Sequence, residues 1–233
     1  DAGHLEAGEG ADLWLPVFGG KHKFTVHLKD PSKVKGIRFH LDEVSRHPGI
    51  ALNAGVATVD PKIRPNMPQE VPVEFKEGST ALQWTRTHRM FPPAEEDTGY
   101  DLQFANGKQQ IELPASANEV AVEVHVRDWA AKGMIRAELL LDGIWEEIAA
   151  KGPGKQENGV SLAFPIDENG NDVADVFEAG FEKAEDTDML SLFEEYRGVY
   201  AFGEHQRLSP KKTDVFLLDY SRKLSSDCLL YTS

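Results

Sequence analysis

The chain has 233 residues, of which 40% are hydrophobic and 9% aromatic, enough apolar material for one domain of ordinary size and a smaller appendage. Its formal net charge is −14 and it has no dense basic stretch, which excludes nucleic acid and anionic membrane surfaces as partners. No apolar run approaches the roughly 18 to 20 residues that cross a membrane, so we expect no membrane span, and cations are the expected partners.

The first residues carry no clear pattern, and we interpret residues 1–22 as an N-terminal extension. Because the chain begins at Asp1 rather than at a methionine, we expect a signal peptide or further domains to precede it in the natural protein. The chain is therefore treated as a fragment of a larger protein.

Residues 23–150 show the alternation of strands that bury one face. The segment EVAVEVHV (119–126) places valine at every second position, and KFTVHL (23–28) and GIRFHL (36–41) alternate in the same way. This region is predicted to form a β-sandwich domain.

Two dipeptides within this region predict hairpin turns. Asn106-Gly107 and Asp142-Gly143 favour the positive φ that two-residue hairpins require. With frequent turns and no convincing helix before residue 148, the predicted fold is mainly β, an immunoglobulin-like antiparallel β-sandwich, with an up-and-down barrel as the alternative.

The composition changes after the predicted sandwich. Residues 151–164 are interpreted as a glycine-rich linker and a short strand. Residues 165–205 are strongly acidic: twelve Asp or Glu but only two Lys or Arg lie between 165 and 204. Such a run is usually a solvated surface, but the spacing of these acids is regular.

The acidic region begins with DENGNDVADVFE (167–178), which has the spacing of a twelve-residue calcium loop. Oxygens at positions 1, 3, 5, 7, 9 and 12 would come from Asp167, Asn169, Asn171, the backbone carbonyl of Val173, Asp175 and Glu178. The alternative is a helix capped by Asp167 or Asn171, but a cap uses one oxygen whereas Ca²⁺ uses them all. We therefore predict a calcium site, with the side chain of Val173 facing inward.

One position departs from the calcium pattern. Position 6, normally glycine, is Asp172, although aspartate is among the few other residues that adopt the left-handed conformation at tolerable cost. Pro165 lies just before the loop, so the approach is an extended segment rather than the entering helix of an EF-hand.

This loop resembles the EF-hand-like calcium loops of dockerin-like and thrombospondin type 3-like repeats in microbial extracellular proteins. Their pattern D-x-N/D-G-N/D-G-I-A-D-x-W/F-E is matched except at positions 6 and 7, by Asp167, Asn169, Gly170, Asn171, Ala174, Asp175, Phe177 and Glu178. The resemblance implies Ca²⁺ as cofactor and a secreted or cell-envelope location, where millimolar calcium is available.

Such repeats often come in pairs, and EDTDMLSLFEEYRG (185–198) resembles a degenerate second copy. We expect it to keep its helix, LSLFEEY (190–196), which ends before Gly198. Asp186, Asp188 and Glu195 are candidates for a second, weaker ion; the alternative is a helix that only packs.

The C-terminal part is interpreted as two pieces. Residues 206–224 begin a further segment, in which KTDVFLLDY (212–220) predicts a strand. Residues 225–233 look like a non-native tail and contain the only cysteine, Cys228, so structural disulfides are not expected.

Catalytic signatures are not found in the sequence. It has no H-E-x-x-H or close histidine pair for zinc and no G-x-S-x-G. His40, His88 and His125 are predicted to be outward-facing surface histidines. Trp84 is expected in the core, and Trp129 is expected to be partly exposed.

The sequence therefore favours a non-catalytic, calcium-binding structural module of a larger secreted or cell-envelope protein. One alternative is the N-terminal accessory region of an extracellular hydrolase, such as a zinc metallopeptidase, whose catalytic domain lies further along. Another is a carbohydrate-binding module that uses Trp129. No protein or polysaccharide partner can be named from the sequence.

Overall fold

The computed structural model describes residues 2–52, 99–179, 181, 190–201, 204–217 and 229–232. The chain divides into two compact units, each built from two separate stretches. The first unit comprises residues Asp1–Arg46 and Gly99–Gly180, and the second comprises His47–Thr98 and Phe181–Ser233.

The first unit is built from two β-sheets. Its described strands are β1 (Gly3–Ala7), β2 (Lys21–Leu28), β3 (Val34–Asp42), β4 (Leu102–Phe104), β5 (Gln110–Leu113), β6 (Glu119–Val126), β7 (Gly133–Leu141), β8 (Ile144–Glu147), β9 (Ala149–Lys151) and β10 (Ser161–Phe164). The first sheet has the order β4-β6-β2-β1-β9. The second has the order β10-β7-β3-β5, with β8 paired to β7.

Apolar side chains of both sheets form one buried core, as the alternation predicted. Phe24 and Val26 of β2 and Ile37 and Phe39 of β3 are all fully buried in the same cluster. The prediction of a mainly β sandwich is confirmed. The first sheet is mixed rather than purely antiparallel, because β1 pairs with β9 in parallel.

The predicted N-terminal extension is wrong for the segment that forms β1. This strand pairs with β2 on one side and β9 on the other, so it lies inside the first sheet. Leu5 is fully buried in the core. The prediction failed because a five-residue strand, GHLEA, carries too little alternation to stand out. The predicted short strand in 151–164 is present as β10, which pairs with β7.

The two predicted hairpins have different outcomes. Asp142 and Gly143 adopt φ of 50° and 87° and join the paired strands β7 and β8, as predicted. Asn106 and Gly107 also form a turn, in which the Gly107 amide donates to the Phe104 carbonyl at 2.8 Å. The Phe104 amide donates back to the Lys108 carbonyl at 3.0 Å, so the predicted reversal is closed as in a hairpin. Beyond it β4 pairs with β6 in one sheet and β5 with β3 in the other, so the prediction was wrong for the pairing of the two strands.

The first unit ends with the acidic loop and the one-turn helix α1 (Asp175–Glu178). In the second unit, α2 (Leu192–Arg197) confirms the predicted helix. The Ser191 side chain accepts from the Glu194 amide and the Glu194 side chain accepts from the Ser191 amide, a reciprocal cap that favours this start. Gly198, at a φ of 71°, follows its last residue.

Two small sheets complete the described part of the second unit. The strand β11 (Val199–Ala201) pairs with β12 (Glu204–Gln206), and β13 (Asp214–Leu217) pairs with β14 (Leu229–Thr232). The strand predicted within 212–220 is therefore present. β14 lies within 225–233, the segment predicted to be a non-native tail.

Several predicted positions lie outside the described residues. They are Trp84, His88, Asp186 and Asp188, so the predictions made for them stay predictions. Among the described residues, no helix is both long and apolar enough for a membrane crossing.

Candidate metal centre

The predicted calcium loop follows β10 after Pro165 and Ile166, and it is closed by a backbone hydrogen bond. The Asp175 amide donates to the Ile166 carbonyl at 2.9 Å, which joins the two ends of the loop. Val173 and Ala174 are 1% and 0% exposed, so the inward orientation expected for Val173 is confirmed. Residues 168–172 are exposed, as an ion-binding bend requires.

Asp167, at position 1, organises the turn around its carboxylate. Its Oδ1 accepts from the amides of Gly170 at 2.8 Å and Asn171 at 3.1 Å, and its Oδ2 accepts from the Asp172 amide at 2.9 Å. The N-cap residue of α1 is Ala174, and no side chain caps the helix. The alternative in which Asp167 or Asn171 caps this helix is therefore wrong.

The side chains at positions 3, 5 and 12 converge. The amide nitrogen of Asn169 donates to Glu178 Oε2 at 2.8 Å, and that of Asn171 donates to Glu178 Oε1 at 2.6 Å. Glu178 stands in α1, so the first turn of the helix brings its carboxylate back over the bend. Three of the predicted ligands, Asn169, Asn171 and Glu178, are therefore in direct contact.

The departure at position 6 is accommodated by the backbone. Asp172 adopts a φ of 71°, the left-handed conformation that glycine usually supplies there. Its side chain forms an ion pair with Lys132, the residue before β7. This contact attaches the loop to the sandwich, and it also places a positive charge at the rim of a loop that carries five carboxylates in twelve residues.

Asp175, at position 9, faces the backbone at the start of the loop. Both of its oxygens accept from the Glu168 amide at 3.2 Å. Among the described residues, the groups of three or more acidic or histidine side chains at mutual ligand distance do not include Asp167, Asp175 and Glu178 together. The Asn169 and Asn171 amides occupy the space in front of Glu178 instead.

A second group of side chains of the kind that can ligate a metal lies within the first sheet, and the sequence did not predict it. His4 Nε2 lies 3.3 Å from one carboxylate oxygen of Glu6, and His27 Nε2 lies 3.3 Å from the other. Pairing of β1 with β2 sets His4 directly opposite His27. No histidine pair was predicted from the sequence, because His4 and His27 lie far apart along the chain and meet only through the pairing of β1 with β2. The H-x-E alternation at 4–6 was the available signal.

The outer face of the second sheet carries His40, which was predicted to face outward. His40 Nε2 lies 3.2 Å from Glu138, which also accepts from Arg136 at 2.9 Å. Partial burial raises the pKa of the Glu138 carboxyl, but hydrogen bonds with His40 and Arg136 outweigh it and hold that pKa below its usual value. This cluster is a paired surface network.

The remaining candidates from the sequence do not assemble into a site. His125 and Trp129 are half-buried, the latter as expected. Trp145 of β8, a further aromatic residue that could stack on a sugar, has the Arg38 guanidinium 3.9 Å from its ring centroid, so one face of the ring is already covered.

Comparisons with known proteins identify no family for this chain. No family model matches it, and no curated protein matches it. Among solved structures it is similar to the crystal structure of the human F-spondin reeler domain (fragment 1), with 11% identity over 70% of this chain and 87% of that chain. The TM-score is 0.33, and a likeness of this strength carries no argument about fold or function.

Proposed function

We propose that this chain is a non-catalytic structural module of a secreted or cell-envelope protein, in which residues 167–178 bind one calcium ion. The observation that carries the proposal is the convergence of Asn169, Asn171 and Glu178, with Asp172 in the left-handed conformation. An acidic turn without a ligand-binding role would not be expected to combine a left-handed residue at position 6 with side chains at positions 3, 5 and 12 that contact one another.

The amide hydrogen bonds to Glu178 indicate where the ion would lie. Each asparagine points its NH2 group, the positive end of the amide dipole, at the Glu178 carboxylate. A bound cation would occupy the same side of that carboxylate. Rotation of the two amides would place Oδ1 of Asn169 and of Asn171 there instead, because the nitrogen and oxygen of an amide are nearly equal in size. Calcium then replaces four hydrogen bonds, because the rotation also removes those that Oδ1 of Asn169 and of Asn171 accept from the amides of Asn171 at 3.0 Å and Val173 at 2.9 Å.

The resulting ligand set matches the needs of calcium. Glu178 supplies two oxygens, the two asparagines one each, and the Val173 carbonyl one more. Asp167 Oδ2 accepts a single hydrogen bond in the loop and keeps a lone pair for the ion. With Asp175 acting through water, the set reaches about seven oxygens, within the six to eight that calcium takes.

The same hydrogen bonds predict a weak affinity for calcium. Calcium must replace the bonds from Asn169 and Asn171, and Lys132 offers a competing charge at the rim. We therefore expect a dissociation constant of about 10⁻⁴ to 10⁻³ M, the range of extracellular modules. Such a site would be filled only where calcium is millimolar, and for this reason the proposal places the protein outside the cytoplasm.

Calorimetric titration of the chain with calcium chloride tests the proposal. One ion should bind per chain, and both Asp167→Ala and Glu178→Gln should abolish the heat. Glu168→Gln is the matched control, because it removes one charge from the same loop at position 2, which supplies no ligand. The proposal would be contradicted if the unmodified chain gave no heat of binding, or if Glu168→Gln lost the heat of binding as the two ligand variants do.

The accessory-region alternative concerns sequence outside this chain and is compatible with the same calcium role. Reading the natural gene beyond residue 224 tests it, since an H-E-x-x-H motif there would favour the zinc metallopeptidase. The carbohydrate-binding alternative is tested by polysaccharide pull-down with Trp129→Ala, and no described contact favours it.

A further inference from the structure

A compact histidine–carboxylate group lies on the outer face of the first sheet, away from its buried core. Antiparallel pairing sets His4 of β1 opposite His27 of β2, and Glu6 follows two residues later on the same face of β1. The side chains of His4, His27 and Glu6 are 23%, 31% and 42% exposed. They are held by two paired strands and are open to ions in solution.

The three side chains lie close enough together to hold one tetrahedral metal ion. His4 Nε2 lies 3.3 Å from Glu6 Oε1, His27 Nε2 lies 3.3 Å from Glu6 Oε2, and one ligand atom from each residue lies within 4.8 Å of the others. A tetrahedral zinc ion with bonds of about 2.0 to 2.1 Å holds its ligand atoms about 3.3 to 3.4 Å apart. We propose that His4, Glu6 and His27 bind a zinc ion, with water in the fourth position.

The carboxylate of Glu119, which lies beside the other ring nitrogen of His27, also supports a zinc site. His27 Nδ1 lies 3.5 Å from Glu119 Oε1, and β2–β6 pairing places Glu119 directly opposite His27. A histidine that binds a metal through Nε2 commonly gives its other N–H to a carboxylate, which orients the ring and makes it a stronger ligand. Glu119 is therefore a positioning residue, and Glu6 is the carboxylate ligand.

The two imidazole rings are also held together. Their centroids lie 5.0 Å apart and their planes differ by 19°, a stacked arrangement that keeps both Nε2 atoms beside Glu6. Two nitrogens and one oxygen suit zinc, whereas calcium takes oxygens alone. The histidine site and the acidic loop should thus bind different ions independently, and zinc would link β1 to β2.

The test is titration of the full chain, carrying no histidine tag, with zinc chloride in a buffer that does not bind metals. We expect one zinc ion per chain at this site. His27→Gln should weaken binding at least about 100-fold, and Glu119→Gln about tenfold, since the loss of such an outer partner typically costs 10- to 100-fold. His40→Gln is the matched control, because His40 is also beside a glutamate on an outer sheet face.

The visible absorption spectrum of bound cobalt gives a second measurement, which would not change if these side chains only stabilised the fold. Co²⁺ bound by His4, Glu6 and His27 in place of zinc should give the intense visible absorption of four-coordinate cobalt, lost in His27→Gln and kept in His40→Gln and Glu178→Gln. The proposal is overturned if cobalt shows only the pale six-coordinate spectrum. It is also overturned if His27→Gln binds zinc as tightly as the unmodified chain, or if His40→Gln weakens binding equally.

Discussion

Adding about 5 mM calcium should stabilise the first unit by an amount that follows from mass action. With a dissociation constant of about 0.1 to 1 mM, the gain RT ln(1 + [L]/Kd) is about 1 to 2 kcal/mol. The Lys132–Asp172 ion pair joins the loop to the sandwich, the Asp175–Ile166 hydrogen bond closes the ends of the loop, and Val173 is buried. An ion that fixes the loop should therefore oppose unfolding of the sandwich.

The assay is a thermal melt followed by circular dichroism, with and without calcium. For a unit of this size a gain of about 1 to 2 kcal/mol corresponds to a rise in Tm of about 2 to 8 °C. Glu178→Gln should remove the rise, whereas Glu168→Gln should keep it. An equal rise in both variants would show that calcium acts through general screening of acidic charge, which would refute the reasoning.

Three further predictions concern the fold. Burial lowers the pKa of His22, so the unfolded chain binds more protons than the folded chain just below pH about 6.5. The free energy of unfolding in urea should therefore fall as the pH drops from 7 towards 5. His22→Phe should make this free energy less dependent on pH, and an unchanged dependence in the variant would contradict the prediction. Leu162→Ala, at a fully buried core position, should cost about 2 to 5 kcal/mol in urea unfolding, and a loss below about 1 would contradict the packing. Ser191→Ala should cost about 1 kcal/mol locally and speed hydrogen exchange of the Glu194 amide about fivefold, whereas unchanged exchange would show that the cap is not formed.

Local patterns in the sequence were sufficient for much of the fold. The alternation in 119–126 predicted β6, because one face of that strand is buried and the other exposed. Asp142-Gly143 predicted a hairpin correctly, because both residues tolerate positive φ. The spacing of 167–178 also predicted a tight turn there, and in it Asp167 accepts hydrogen bonds from three backbone amides, whereas the calcium site itself stays a prediction.

Pairing between distant strands could not be predicted in this way. The sequence gives no sign that β4 and β5 enter different sheets, since each pairs with a strand that is remote along the chain. The histidine group was missed for the same reason: His4 and His27 meet only because β1, a short strand, pairs with β2. Residues that are brought together by sheet register carry no joint signal in one sequence.

The central claim is that one calcium ion lies among the side chains of the acidic loop. A crystal structure of the chain grown with about 5 mM calcium, several times the expected dissociation constant, tests it most directly. We predict an ion about 2.3 to 2.6 Å from oxygens of Asp167, Asn169, Asn171, Val173 and Glu178. A loop without an ion, in which the two asparagine amides still donate to Glu178, would contradict it.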